Sequence, residues 1–170
     1  MNAIVNVDEN WGIGRDGDLI FPIPEDMQFF KKMTTGKIVV MGRRTLASFP
    51  GGRALKDRTN IVLTRKQNTP IQNAIVCHNL GQLQATLQPH PPQDVFVIGG
   101  EAIYRQLIDS CAIAYVTKVQ SSAVADNHFP NLDGRPGWIL AEESEPHHYN
   151  GLTFTFCTYQ NQQVQPIAAE

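Results

Sequence analysis

Three stretches of this chain have unbroken apolar centres: Lys37-Ile38-Val39-Val40-Met41, Thr59-Asn60-Ile61-Val62-Leu63-Thr64 and Asp94-Val95-Phe96-Val97-Ile98. A strand with one wet face alternates apolar and polar residues. An unbroken run has to be covered on both faces, as in a parallel sheet flanked by helices. Residues 3–7, 74–77 and 112–119 read as further strands. Residues 80–87 read as a helix with Leu80, Leu83 and Leu87 on one face. Gly99-Gly100 opens another helix through Ile103, Leu107 and Ile108. Strands alternating with helices predict an α/β fold with a mostly parallel central sheet and helices on both faces. Near the C-terminus, Leu152-Thr153-Phe154-Thr155-Phe156 alternates with period two, the pattern of an antiparallel strand at a sheet edge. Residues 1–160 are expected to form one domain, and the tail from about Gln160, residues 161–170, to fray.

Composition narrows the function classes. At 170 residues the chain is long enough for one substantial core, and 42% apolar with 18% charged residues suits a folded domain. A formal net charge of −2 gives no electrostatic reason to expect nucleic acid or an anionic membrane as partner. Cys77, Cys111 and Cys157 are odd in number, far apart and without metal-ligand spacing, which points to a reducing compartment. The N-terminus lacks a basic segment and a long apolar run, so a cytoplasmic location is expected.

Residues 8–24 form a long connection with Gly12, Gly14 and Gly17 at turn positions. Long connections without periodicity are usually functional or disordered. Trp11, Ile13, Leu19, Ile20 and Phe21 argue against disorder, so this segment is expected to close over something. A helix follows Pro24, and its apolar stripe runs Asp26, Phe29, Phe30, Met33 at i, i+3, i+4 and i+7. A carboxylate among aromatic and thioether groups is costly without a donor or cation, and its own stripe carries neither. An acid in a first helical turn also favours the macrodipole with no function at all. The helix alone does not separate these readings.

Three junctions each follow a buried strand: Gly42-Arg43-Arg44-Thr45, Thr64-Arg65-Lys66 and Gly99-Gly100-Glu101-Ala102. Carboxyl ends of parallel strands line the ligand crevice of such sheets. Helix N-termini with adjacent glycines can hold phosphate, and arginines add charge-assisted bonds. Together the junctions suit a dinucleotide, with Arg44 and Arg65 placed to clasp a ribose 2′-phosphate. The spacing differs from the G-x-G-x-x-G fingerprint, so a standard Rossmann assignment does not follow. His78, His90 and His128 are isolated, His147-His148 lies in a turn-rich stretch, and no spacing predicts a metal site. No nucleophile has an evident base.

In their order, Gly12-Ile13-Gly14, Ile23-Pro24-Glu25-Asp26, Val40-Met41-Gly42-Arg43-Arg44-Thr45, Leu63-Thr64-Arg65, Val97-Ile98-Gly99-Gly100-Glu101-Ala102-Ile103-Tyr104 and Asp126-Asn127-His128-Phe129-Pro130 closely resemble the bacterial dihydrofolate reductase family. The resemblance runs from Ala3 to about Tyr159. It implies NADPH-dependent reduction of 7,8-dihydrofolate to tetrahydrofolate, by hydride transfer to pterin C6 and water-assisted protonation of N5. Asp26 would take the pterin N3 and 2-amino group, and Thr117 would support that carboxylate. Arg58 would meet the glutamate α-carboxylate. Ile4, Val5, Met27, Phe30, Phe49, Leu55, Ile98 and Tyr104 would surround the substrate. Asn6, Ile13, Gly14, Gly17, Leu19, Gly42, Arg43, Arg44, Thr45, Ser48, Leu63, Thr64 and Arg65 would hold NADPH. So would Ile98, Gly99, Gly100, Glu101, Ala102, Ile103, Tyr104 and Asp126, with the Gly99-Gly100 peptide cis. Leu19 and Phe21 take family positions beside the reacting rings. Antifolate inhibitors are implied as ligands, and a monomer is expected.

Three places depart from the family pattern, one of them Pro50-Gly51-Gly52, which changes the loop leading to Arg58. Ile20-Phe21 stands where a Pro-Trp pair is usual, and Phe21 lacks the indole N–H. Asn6 replaces a small residue, and a buried Asn requires partners; a neighbouring strand end is the expected one. With Met27, these departures predict altered affinity for diaminopyrimidine inhibitors such as trimethoprim. The competing readings are a related-fold reductase for another pteridine or pyrimidine, which would not need Asp26 and Arg58 together, and a nucleotide-binding protein without turnover.

Overall fold

The three apolar runs become the middle of one sheet. In the computed structural model, which describes residues 1–168, the first half of the chain supplies β1 (Asn2–Val7), β2 (Gly12–Arg15), β3 (Asp18–Leu19), α1 (Pro24–Thr34), β4 (Ile38–Gly42), α2 (Arg43–Ser48), β5 (Thr59–Leu63) and β6 (Ala74–Cys77). The second half supplies α3 (Leu80–Leu87), β7 (Val95–Gly99), α4 (Glu101–Leu107), β8 (Ile113–Val119), β9 (Asn127–His128), β10 (Trp138–Glu143), β11 (His147–Tyr149) and β12 (Leu152–Asn161). The main sheet runs β10-β12-β8-β1-β7-β4-β5-β6, with β11 also on β12. Pairs from β8 to β6 are parallel, while β12 is antiparallel to β8, β10 and β11.

Successive residues of the central strands feed two different cores. Val40, Ile61 and Val97 pack with Leu83 and Leu87 of α3 and with Ile103 and Leu107 of α4. Val39, Met41, Val62, Phe96 and Ile98 pack with Leu46 of α2 and with Phe29, Phe30 and Met33 of α1. Helices therefore cover both faces, as the unbroken runs require. Each such side chain contributes roughly 1.5–3 kcal/mol on burial, so the strand ends that carry the site rest on the best-packed part of the molecule.

Three expectations need correction. Residues 152–156 belong to a ten-residue strand that lies inside the sheet, between β8 and β10. Period two reports one buried face and says nothing about having a neighbour. The edge strand is β10, of which only Trp138 is buried, so its sequence carries no core pattern. Second, the connection 8–24 contains β2 and β3, and β2 lies between β3 and β9 in a three-stranded sheet. Its start is organised by Asp8, whose carboxylate accepts from the N–H groups of Asn10, Gly12 and Ala123 at 2.9, 2.8 and 3.1 Å. Third, the segment expected to fray is tied down: the N–H groups of Gln162 and Gln165 donate to Gly137 O and Asp109 O, each at 2.8 Å, and Ile167 packs on the core. Residues 169 and 170 lie outside the described residues.

Candidate active site

β1 stays paired with β8 through Val7, but it pairs with β7 only at Asn2 and Ala3. From Ile4 onward it has a strand neighbour on one side only. The gap lies at the carboxyl ends of parallel strands, where ligand crevices form. It opens into a cleft of about 1580 Å³ walled by β1, α1, α2, α4 and the β2–β3 hairpin. Pockets for one small ligand run to roughly 300–1,000 Å³. This one has room for two.

Asp26 stands on the cleft wall in the first turn of α1, and Asp26, Phe29, Phe30 and Met33 are all half-buried along one stripe. Thr117 Oγ1 donates to Asp26 Oδ1 at 2.5 Å, and Asn6 Nδ2 donates to Oδ2 at 3.0 Å. A carboxylate has about four lone-pair sites, so each oxygen keeps one for a ligand. Burial pushes the Asp26 pKa above the usual carboxylate value, against the opposing pull of the Thr117 and Asn6 hydrogen bonds. Burial dominates, as the Phe and Met neighbours predict.

The opposite end of the cleft is built from the three glycine and arginine junctions. Gly42 and Gly100 are the N-caps of α2 and α4, and neither helix start is closed by a side chain. A Cβ at Gly42 would lie 3.1 Å from Ile103 Cγ1, so only glycine sits there without displacement. The Gly99-Gly100 peptide is cis, as expected. Arg43, Arg44, Thr45, Ser48, Thr64 and Arg65 line this wall, and Arg43, Arg44 and Arg65 enter none of the ion pairs found among the described residues. Lys66, which follows them in the chain, lines it too. Open backbone donors, absent Cβ atoms and unpaired guanidinium groups suit a phosphate-bearing dinucleotide.

Met27, Phe30, Phe49 and Leu55 line the other half together with Arg58. The Arg58 guanidinium lies 6.0 Å from the Phe30 ring centroid; its Nε donates to Thr34 Oγ1 at 3.2 Å and its Nη1 to Lys56 O at 2.9 Å. No carboxylate faces it in the ion pairs among the described residues, and burial lowers its pKa. Its loop is held by buried Asn60, which accepts from Leu55 N–H and donates to Leu55 O, each at 2.9 Å, and to Arg58 O at 3.2 Å. Sequence reasoning missed Asn60, because an Asn in a strand gives no sign of which loop it will tie. It also missed Lys31, Asp16 and Asn127 on the wall.

Most predicted site residues meet at the cleft: Ile4, Val5, Asn6, Ile13, Gly14, Gly17, Leu19, Ile98, Gly99, Glu101, Ala102, Ile103, Tyr104 and Asp126 line it with those above. Three do not. Thr117 is buried behind Asp26, Leu63 belongs to the core below the wall, and the Phe21 ring packs with Ile23, Val119 and Phe154. Only the Phe21 carbonyl reaches the site, accepting from Asn6 Nδ2 at 3.2 Å. Asn6 thus serves the carboxylate and a loop carbonyl, in place of the strand end expected for it. Leu19 sits on the hairpin, largely exposed. Tyr104 donates its hydroxyl to Ile4 O at 2.7 Å, and burial holds it far above its usual pKa. Asp126 latches the hairpin: its carboxylate accepts from Asp16 N–H at 2.9 Å and its own N–H donates to Gly14 O at 3.0 Å.

A family model described as dihydrofolate reductase matches residues 1–161. This chain belongs to the dihydrofolate reductase family. Among its relatives, dihydrofolate reductase of Bacillus subtilis (strain 168) is 33% identical over 161 residues, covering 91% of this chain and 93% of that one. The enzyme of Buchnera aphidicola subsp. Baizongia pistaciae (strain Bp) is 30% identical over 160 residues, covering 94% of each. A solved structure of dihydrofolate reductase from Enterococcus faecalis, complexed with NADP(H) and RAB-propyl, superposes with a TM-score of 0.81 at 29% identity, over 94% of this chain and 95% of that one. As a member of this family, the chain is an NADPH-dependent oxidoreductase.

Proposed function

We propose that the protein reduces 7,8-dihydrofolate to 5,6,7,8-tetrahydrofolate with NADPH and so supplies one-carbon metabolism. The observation that carries this reading is the half-buried Asp26 carboxylate, held by Thr117 and Asn6 and open to a cleft with room for two ligands. NADPH, when bound, supplies the hydride that pterin C6 receives. Asp26 accepts from the pterin N3 and 2-amino group with its two remaining lone pairs, which fixes the ring in the cleft. Burial raises its pKa and so favours a bound proton, which water carries to N5. The β2–β3 hairpin, latched through Asp126, excludes bulk water in the manner of a gating loop.

Arg58 takes the glutamate α-carboxylate of the substrate. Replacing it with Leu is expected to raise KM for dihydrofolate roughly 10–100-fold, the worth of a charge-assisted pair, with kcat little changed. A large fall in kcat at unchanged KM would place Arg58 elsewhere in the reaction. Arg44 and Arg65 clasp the ribose 2′-phosphate. An Arg44→Ala/Arg65→Ala variant is expected to lose roughly tenfold or more in kcat/KM with NADPH and little with NADH; equal losses with both cofactors would refute the assignment.

The deciding assay follows NADPH oxidation with and without dihydrofolate. Oxidation that depends on dihydrofolate supports the reading, while tight NADPH binding without such turnover would indicate another pteridine or pyrimidine substrate, or a binding protein. Antifolates compete for the Asp26 end of the cleft. No helix among the described residues is long and apolar enough to cross a membrane. The buried free thiols Cys77, Cys111 and Cys157 support a cytoplasmic location.

A further inference from the structure

Asn6 holds Asp26 with a side chain fixed at two points. Nδ2 donates to Asp26 Oδ2 at 3.0 Å and to Phe21 O at 3.2 Å. An amide nitrogen has two hydrogens, and both are used. Because both partners are acceptors, the orientation of the amide is not in question: turned over, its oxygen would face two other oxygens. Asn6 and Phe21, both departures from the family pattern, therefore meet at one amide nitrogen beside the carboxylate. Phe21 offers no polar hydrogen from its side chain, which is packed away from the cleft. The donor comes from β1.

We propose that Asn6 is a positioning residue for Asp26: it fixes the rotation of the carboxylate, favours its ionised form, and couples it through Phe21 O to the end of the loop that carries the β2–β3 hairpin. Thr117 holds Oδ1 from β8. Without a second donor at Oδ2 the carboxylate is free to turn about that bond, and the lone pairs meant for the ligand lose their alignment.

The other groups around Asp26 leave this role to Asn6. From α4, the Tyr104 hydroxyl is committed to Ile4 O and stays neutral at any working pH, since burial raises its pKa far above the usual value. On α1 itself, Glu25 pairs with His147 of β11 at 2.8 Å, and Lys31 stands exposed at the cleft wall. Arg58 is engaged by Thr34 and Lys56. No charged side chain is among the causes of the Asp26 shift; burial raises its pKa and the Thr117 and Asn6 hydrogen bonds lower it.

The inference rests on Asp26 being the pterin-binding acid, but its test does not depend on turnover. Asn6→Leu keeps the branching and the number of side-chain heavy atoms, is somewhat bulkier, has no donor, and leaves no room for a replacement water. The Asp26 carboxyl carbon is titrated by NMR in the ligand-free protein, in wild type, Asn6→Leu and Asn6→Ala, with circular dichroism as a check on folding. The expected result is an upward shift of the Asp26 titration by roughly one unit in Asn6→Leu, the size of one lost hydrogen bond to a charged group. The alkaline limb of the kcat profile should move to higher pH by the same amount, and trimethoprim affinity should change. Asn6→Ala, where water can enter, should shift less. An Asp26 titration at the same pH in wild type and in whichever folded variant is obtained would overturn the proposal. Absence of dihydrofolate turnover in wild type would instead remove the functional reading, and the titration would still decide the role of Asn6.

Discussion

Asp26→Asn is expected to lower dihydrofolate-dependent turnover roughly 10²–10⁴-fold at neutral pH, the range general acid–base groups contribute, and to stabilise the ligand-free protein under the same conditions. The two effects share one cause. Burial disfavours the charged carboxylate, so the folded state binds the Asp26 proton more tightly than the unfolded chain does. A folded-state pKa raised in this way contributes stability that is fully present below the unfolded value, about pH 4, and lost as pH rises through the folded value. The variant has no carboxylate to ionise. The introduced amide can accept from Asn6 and donate to the Thr117 hydroxyl oxygen, so neither neighbour is orphaned. The gap in thermal midpoint between variant and wild type should therefore be small near pH 4 and widen towards neutral pH. Midpoints that stay parallel across this range would contradict the raised pKa. Near wild-type turnover would remove Asp26 from the mechanism.

Gly99→Ala should impair both the fold and the cofactor end of the cleft. Gly99 has φ +126°, a conformation L side chains rarely adopt. Space is not the obstacle, since a Cβ there would lie 3.5 Å from Thr45 Oγ1 and from Tyr104 Cε2, ordinary contact distances. The backbone is. Holding alanine in this conformation costs about 1–3 kcal/mol. Rotating the peptide to escape it moves Gly100, whose carbonyl accepts from the N–H groups of Ile103 and Tyr104 at 3.0 and 2.9 Å. That rotation shifts the α4 start relative to Gly42 and Thr45. If the strain is released by such movement, NADPH affinity should fall roughly 5–150-fold, the equivalent of that energy. Gly151→Ala makes the comparison, because its φ is +80° with nothing within 4 Å of the added carbon. It lies in the β11–β12 turn, far in sequence from any cleft residue, and should lose stability while keeping NADPH affinity. Equal loss of affinity in both variants would show that global destabilisation, not local geometry, is being read.

The legible parts of this protein are those encoded by short-range pattern. Unbroken runs such as Ile38-Val39-Val40-Met41 require cover on both faces, and the glycines and arginines that follow them fall at strand ends, where crevices form. The stripe Asp26, Phe29, Phe30, Met33 placed a carboxylate on an apolar helix face before its surroundings were known. What stayed hidden has either no pattern or a long-range cause. β10 has one buried residue, so its pairing with β12 leaves no alternation to detect. Asn60 ties the Leu55–Arg58 loop with hydrogen bonds that an isolated Asn in a strand does not announce. Leu63 and Phe21 carry motif positions, yet their side chains are turned into cores.

From residue order alone come the layer architecture, the strand ends that line the cleft, the family resemblance and the choice of Asp26, because each depends on period or on a contiguous motif. Tertiary structure alone decided what Asp26 is bonded to. Its partners stand 20 and 91 residues away, on β1 and β8, and it is the pairing of those two strands that sets both donors against one carboxylate. Local sequence specifies which face a side chain takes; which distant group meets it follows only once the sheet has closed.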